Sequence, residues 1–402
     1  MRRRRLPLVL VAGSGRSSDL TERIADILRN TYEMEGVETL LPVPKKDPSI
    51  PRSPRSPFFV GRFADKEPQI EMGQETLDSL KGTYTVVVKH MYEPTDDPSV
   101  NTHLMETLLL FDVVGRAPPE RRMLAVPYLS FLRSHNVPKY QQMGFQDANS
   151  LSLMATMFKN VGIDVITAID PHSSKIVDEC RDRGIEFQVI NPFYPSKYVN
   201  LEKHGLVDAP RDRKVEVLKS LQPWIEYFKR RKAENKEGRI YLIIPDDGAE
   251  TRVERFGRDC GLDFDDIGYI LKRPRQEAGR AEIQGFKSFC RKRMLEILKS
   301  ATEYDVFVIP DDMISGAGTQ NEIAQYLKKH GAKRVEGWCS HAVCPDPSKL
   351  DGATYLDGLV SLDTVYQENL PKRIEVIPAS DALLCGEIFK SYMKYTGNDR
   401  GW

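Results

Sequence analysis

Short apolar runs alternate with amphipathic stretches along this chain, a pattern that predicts strands followed by helices in an α/β fold. Runs at Leu8–Ala12, Tyr84–Val88, Met123–Val126, Ile163–Ile169, Ile240–Ile244 and Val306–Ile309 have the length and apolar content of buried parallel strands. Helical spacing follows: Leu20, Ile24, Ile27 and Leu28 after the first run, Met105 to Val114 after the second, and Ile323, Ala324 and Leu327 after the last. Residues 215–232, with Trp224 and Phe228, and the basic stretch 276–303 also read as helical. The Pro-, Ser- and Arg-rich stretch 41–57 reads as a loop.

The last run carries the clearest chemistry. It is expected to end at two adjacent acids, Asp311 and Asp312, before the small residues Ser315, Gly316, Ala317, Gly318 and Thr319. A strand, a small-residue turn and a helix N-terminus form a phosphate cradle, because free N–H groups and the helix dipole face the anion. The spacing does not fit a Walker loop, which ends in Gly-Lys-Ser/Thr. Acids placed before the turn suit a sugar phosphate: the carboxylates grip ribose hydroxyls while the turn holds the phosphate.

Composition narrows the field without naming a ligand. The 402 residues suffice for two domains. Lys+Arg and Asp+Glu balance at 58 each, so the basic patches Arg2–Arg5 and 291–299 are set in a neutral chain, which disfavours nucleic acid. No run approaches a membrane span, and too few apolar residues follow Arg5 for a signal peptide. Six scattered cysteines with no CxxC pair predict reduced, mostly buried thiols of a cytoplasmic protein.

The 305–319 stretch resembles the loop that binds ribose 5-phosphate or phosphoribosyl pyrophosphate in the type I phosphoribosyltransferase fold. Leu327 to Cys344 (LKKHGAKRVEGWCSHAVC) and Leu362-Asp363-Thr364 resemble ribose-phosphate pyrophosphokinase, the phosphoribosyl pyrophosphate synthetase family. The resemblance implies two tandem type I phosphoribosyltransferase-like domains, each a mainly parallel sheet flanked by helices. Residues 1–180 would form the ATP side and 181–402 the ribose 5-phosphate side, with a helical insertion at about 192–237. It also implies transfer of pyrophosphate from ATP to ribose 5-phosphate, with Mg2+ as cofactor, in a homo-oligomer whose subunits share the ATP site.

Carried over by position, Val60–Glu67 is similar to the family segment in which an aromatic stacks on adenine and two acids bind the base. Phe63, Asp65 and Glu67 would do this here, from a neighbouring subunit. The family's Arg-Gln-Asp-Arg loop matches Arg133, Ser134, His135 and Asn136, which assigns Arg133 and His135 to ATP, with Asn136 replacing the second arginine and Lys139 nearby. Asp170-Pro171-His172 resembles Asp-Leu-His, making His172 a magnesium ligand, and Pro245-Asp246 makes Asp246 a second, with Arg252 near the phosphates. The family's Lys-Arg-Arg-Pro falls on 271–274, with Arg273 as the arginine and either Leu271 or, after a one-residue slip, Lys272 at the lysine. Lys272, Arg273 and Arg133 would then neutralise the transferring phosphates. In the ribose loop, Ser315 stands for a third acid, Gly316 for a threonine and Ala317 for a glycine. Two other readings share the fold: an impaired regulatory or structural subunit of a synthetase, and a transferase that consumes phosphoribosyl pyrophosphate.

Overall fold

The computed structural model describes residues 6–43, 58–92, 99–134, 144, 146, 148–193, 221–274, 281–366 and 370–397. Fifteen strands are described: β1 (Leu8–Ala12), β2 (Val37–Leu40), β3 (Phe59–Arg62), β4 (Pro68–Glu71), β5 (Tyr84–Val88), β6 (Arg121–Val126), β7 (Val165–Ile169), β8 (Glu186–Ile190), β9 (Ile240–Ile244), β10 (Ile267–Pro274), β11 (Ala281–Phe286), β12 (Val306–Ile314), β13 (Arg334–Ala342), β14 (Gly358–Leu362) and β15 (Ile374–Ile377). They form a six-stranded parallel sheet in the order β2-β1-β5-β6-β7-β8 and a seven-stranded sheet in the order β11-β10-β9-β12-β13-β14-β15. Only β10–β11 is antiparallel in the second sheet, and β3–β4 is a separate hairpin. The chain is therefore α/β, with two mainly parallel sheets flanked by helices. β1, β5, β7 and β9 are buried at every residue, because helices cover both faces of each sheet.

Three elements depart from the pattern read in the sequence. The last apolar run does not end at Ile309; β12 continues through both acids to Ile314, because β13 is equally long and pairs with it throughout. Pro310 is tolerated within it because β9 pairs only as far as Val308, so no ladder bond is lost on that side. Within the stretch expected to be helical, Ala281–Phe286 is a strand that folds back on β10, and the helix occupies Ser288–Ser300. The division expected at residue 180 falls between β7 and β8, which both belong to the first sheet.

The C-terminal helix Ser380–Tyr395 crosses to the first sheet and packs on the helix Ser18–Asn30 and on β6, β7 and β8. Tyr84 Oη and Ser391 Oγ lie 2.7 Å apart, and Tyr392 Oη donates to the Leu6 carbonyl at 2.6 Å. The helix Pro223–Glu234, in the expected insertion, is also structural: Trp224 stacks between Phe193 and Trp338 at 5.3 and 5.5 Å. These contacts make one apolar core continuous across both sheets. All six cysteines are free thiols.

One charged pair is built into the first domain. Lys89, fully buried, donates to Glu106 Oε2 at 2.5 Å and to the Gly13 carbonyl at 3.1 Å. Burial works against the Glu106 carboxylate, but His103 and Lys89 hold its pKa down at about 2. The stability this contributes is present above the ordinary value of 4.5 and is lost as pH falls towards about 2. Glu106→Gln leaves an unpaired buried ammonium and should cost about 3–5 kcal/mol, whereas Lys89→Met with Glu106→Leu should recover most of that. Urea unfolding followed by circular dichroism checks this; equal losses in both chains would contradict it.

Candidate functional site

Between β9 and β12 the second sheet reverses its winding, since β9 leads to β10 on one side and β12 to β13 on the other. Such switch points open a crevice beyond the strands' carboxyl ends. Here the crevice is deepened by β12, which runs past β9 and lifts Asp311 and Asp312 above the sheet. Asp246 stands just after β9. The first domain faces this point with the turn Asp170-Pro171-His172 after β7. His172 Nδ1 donates to Asp312 Oδ2 at 2.5 Å, so the two halves of the chain meet at the acids.

The adjacent carboxylates do not share one charge state. Burial, and then the charge of Asp312, pushes Asp311 well above the usual carboxylate range. Burial opposes ionisation of Asp312 as well, but the hydrogen bond and charge of His172 and the Arg252 guanidinium hold it low. One protonated and one ionised carboxyl side by side can donate and accept towards a polyol. Lys272 Nζ lies 3.7 Å from Asp246 Oδ2, while Leu271 is 46% exposed, so Lys272 is the base directed at the crevice. A bulge leaves Gln284 unpaired between Leu271↔Gly285 and Lys272↔Ile283. Arg273 pairs with Glu282 in the same hairpin, and its side chain lies outside the described residues.

The turn after β12 consists of Ser315, Gly316 and Ala317, followed by the helix Gly318–Lys329. Ala317 has φ +54°, the left-handed region, and no side chain caps the helix. The first N–H groups of that helix, from Gly318 and Thr319 onward, have no intrahelical acceptor and are open to an anion. Ser315 Oγ is buried without a hydrogen-bond partner; the amide of Gln320, also unmatched, lies against the sheet at Gly337. A buried, unmatched hydroxyl in a turn of this kind fits a site completed by a polar ligand.

The remaining expected residues stand elsewhere or are not described. Arg133 is exposed, with its segment tied to the next helix through Ser150 Oγ, which lies 3.0 Å from the Ser134 carbonyl. His135, Asn136 and Lys139 lie outside the described residues. Phe63 is 52% exposed on the β3–β4 hairpin, whose base packs on the helix Val100–Gly115. Asp65 and Glu67 are exposed in the same turn, where Asp65 Oδ1 accepts from the Glu67 N–H at 3.2 Å.

Among the described residues, no three His, Cys, Asp or Glu side chains are already gathered around one metal position. The donor set still fits magnesium. Asp246, Asp311 and Asp312 supply the oxygen atoms that ion prefers, and a divalent cation would favour ionisation of Asp311, which burial and then the charge of Asp312 oppose. What sequence reasoning missed are Ser340 and His341, two buried polar groups that contact Asp170. The only signal for them is their adjacency at the carboxyl end of β13.

Residues 8–162 match a family model described as the N-terminal domain of ribose phosphate pyrophosphokinase. The ribose-phosphate pyrophosphokinase of Ralstonia nicotianae is 25% identical over 336 residues, 83% of each chain. That of Thermotoga maritima is 25% identical over 338 residues, 84% of this chain and 87% of its own. The crystal structure of phosphoribosylpyrophosphate synthetase from Mycobacterium smegmatis superposes with a TM-score of 0.65 at 17% identity, covering 97% of this chain and 99% of that one. The superposition spans both sheets described above, so the two proteins share a fold.

Ala317 offers a direct test of the turn. The left-handed backbone costs alanine about 1–2 kcal/mol, and its buried methyl returns only about 0.8 kcal/mol. Ala317→Gly should therefore raise the melting temperature slightly; a fall in calorimetry would contradict the turn geometry.

Proposed function

We propose, from the premise that the chain is a divergent member of the ribose-phosphate pyrophosphokinase family, that it transfers the pyrophosphoryl group of ATP to the C1 hydroxyl of ribose 5-phosphate. The observation that carries the reading is the 2.5 Å contact of His172 with Asp312. It sets the first domain's Asp-Pro-His turn against the second domain's acid pair and phosphate cradle.

In this reading ribose 5-phosphate lies along the β12 overhang. The N–H groups and small residues from Ser315 to Thr319 hold its 5-phosphate, and Asp311 and Asp312 hold its hydroxyls. The C1 oxygen attacks the β-phosphorus of ATP, the bond from that phosphorus to the α–β bridging oxygen breaks, and AMP leaves. Lys272, Arg273 and Arg133 spread the charge on the transferring group, while His135 adds an ATP contact. Phe63, Asp65 and Glu67 of a neighbouring copy hold the adenine, so activity should fall on dilution. His172 and Asp246, with the acid pair, are the groups that would hold magnesium, which neutralises phosphate oxygens when bound. The chain's own contribution is position and electrostatics more than covalent chemistry.

A second reading is favoured by Ala317 in a strained turn and by Asn136 in place of an arginine. In it, the chain is a synthetase-associated subunit that binds ribose 5-phosphate without turning it over.

Radiolabelled ATP, magnesium and ribose 5-phosphate should give phosphoribosyl pyrophosphate, and Asp312→Ala should reduce the rate by about 10²–10³. Magnesium with ribose 5-phosphate should raise the melting temperature of the unaltered chain but not of Asp312→Ala. No product at any phosphate level would overturn the first reading; stabilisation without product, with stimulation of an active synthetase, would establish the second.

A further inference from the structure

Asp170 is one of the residues through which the first domain is held to the second. It is buried, with 3% exposure, and its φ is +40°. Three of its partners come from the other domain. Ser340 Oγ donates to its Oδ2 at 2.5 Å, Arg252 Nη2 lies 3.1 Å from its Oδ1, and His341 Nε2 donates to its carbonyl at 3.1 Å. The Asp170 N–H donates to the Ile190 carbonyl within its own sheet at 2.7 Å.

His341 is itself fixed. Its Nδ1 lies 2.8 Å from Thr364 Oγ1, and its ring meets Tyr128 edge-on with centroids 4.8 Å apart. Burial disfavours the charged ring. A carbonyl only accepts, so Nε2 carries a proton; Thr364 Oγ1, beside Nδ1, donates to the Ser340 carbonyl at 2.6 Å and so ties the ring to its own strand. Ser340 and His341 belong to β13, whose register against β12 sets Asp311 opposite Cys339 and Met313 opposite His341. The strand that carries the acid pair is thus locked to the strand that grips Asp170. Two residues beyond Asp170, across the rigid Pro171, stands His172.

We propose that Ser340 and His341 are positioning residues: by clasping Asp170 they fix the turn that carries His172 and hold its imidazole opposite Asp312. The proposal deepens, and rests on, the functional reading above. Neither residue touches the ligands. Each acts through Asp170, as outer groups orient the inner ligands of a metal site.

The test uses the full chain and needs no turnover to be informative. In His341→Leu, backbone hydrogen exchange over residues 165–176 should quicken about tenfold, with the helix Ser18–Asn30 unchanged. His341→Gln, whose amide can still donate to the Asp170 carbonyl, should restore protection. Under the proposed reaction, His341→Leu should lower kcat about 10–100-fold and leave KM for ribose 5-phosphate within about threefold. Ser340→Ala, a smaller change should leucine not be accommodated, should show the same local pattern more weakly. Exchange unaltered over 165–176, or quickened equally throughout the chain, would overturn the clasp. If the unaltered chain makes no phosphoribosyl pyrophosphate, the functional reading fails, and the exchange result still decides the clasp.

Discussion

A nine-residue strand beside a five-residue one makes the site. β12 has a full-length partner only in β13, so its last residues stand clear of β9 and of the sheet's carboxyl edge. Two acids on that overhang are held in ladder geometry on one side and open to the crevice on the other. An acid pair in a free loop would separate to relieve its repulsion. On a strand the backbone keeps them adjacent; burial and then the charge of Asp312 raise Asp311, while the hydrogen bond and charge of His172 and the Arg252 guanidinium hold Asp312 low. The bond from His172 to Asp312 compensates one of those charges and joins the domains by the same contact.

The first sheet has its own switch point, between β1 and β5, and it is closed. Lys89 crosses it to reach the Gly13 carbonyl and Glu106, and a Cβ on Gly13 would come within 2.6 Å of the Lys89 chain. From the other domain, Tyr366 covers the opening, its ring 6.0 Å from that of His90 and 5.3 Å from the Arg16 guanidinium. One crevice is thus filled by the chain itself and the other is lined with orphaned donors and acids. The first domain contributes instead through the far end of its sheet, by the turn after β7.

The fold class and the acid pair were legible because each leaves a local trace. Continuous apolar runs mark strands covered on both faces, and two acids followed by small residues mark a strand end at a helix N-terminus. The extent of β12 left no such trace, since Asp-Asp after Ile-Pro reads locally as a stop and only the length of β13 says otherwise. Lys272 and Leu271 stood as alternatives because spacing to Pro274 alone does not say which side chain faces the crevice; the contact of Lys272 with Asp246 does. Asp170 was visible as the end of a strand but not as a clasp. Its partners Arg252, Ser340 and His341 lie far along the chain, and tertiary contacts of that span carry no periodicity.

Backbone strain follows the same map in part. Of the six described non-glycine residues with positive φ, Lys66, Phe131, Asp170 and Ala317 lie in segments that the functional reading requires, and Glu33 and Cys344 do not. Such conformations persist only where the surroundings over-determine them. At Lys66 the turn is closed by the Lys66 N–H on the Phe63 carbonyl and the Phe63 N–H on the Glu67 carbonyl, at 3.0 and 2.9 Å. At Phe131 the carbonyl accepts from Ser150 Oγ at 2.7 Å. At Asp170 three donors from the second domain do it. At Ala317 the carbonyl accepts from the Asn321 N–H at 2.7 Å, while no side chain caps the turn and Ser315 Oγ is unmatched. Each of these turns is therefore tied down by the chain itself. Beside Ala317 a buried hydroxyl is still left without a partner, the expected state of a turn that a ligand's phosphate completes.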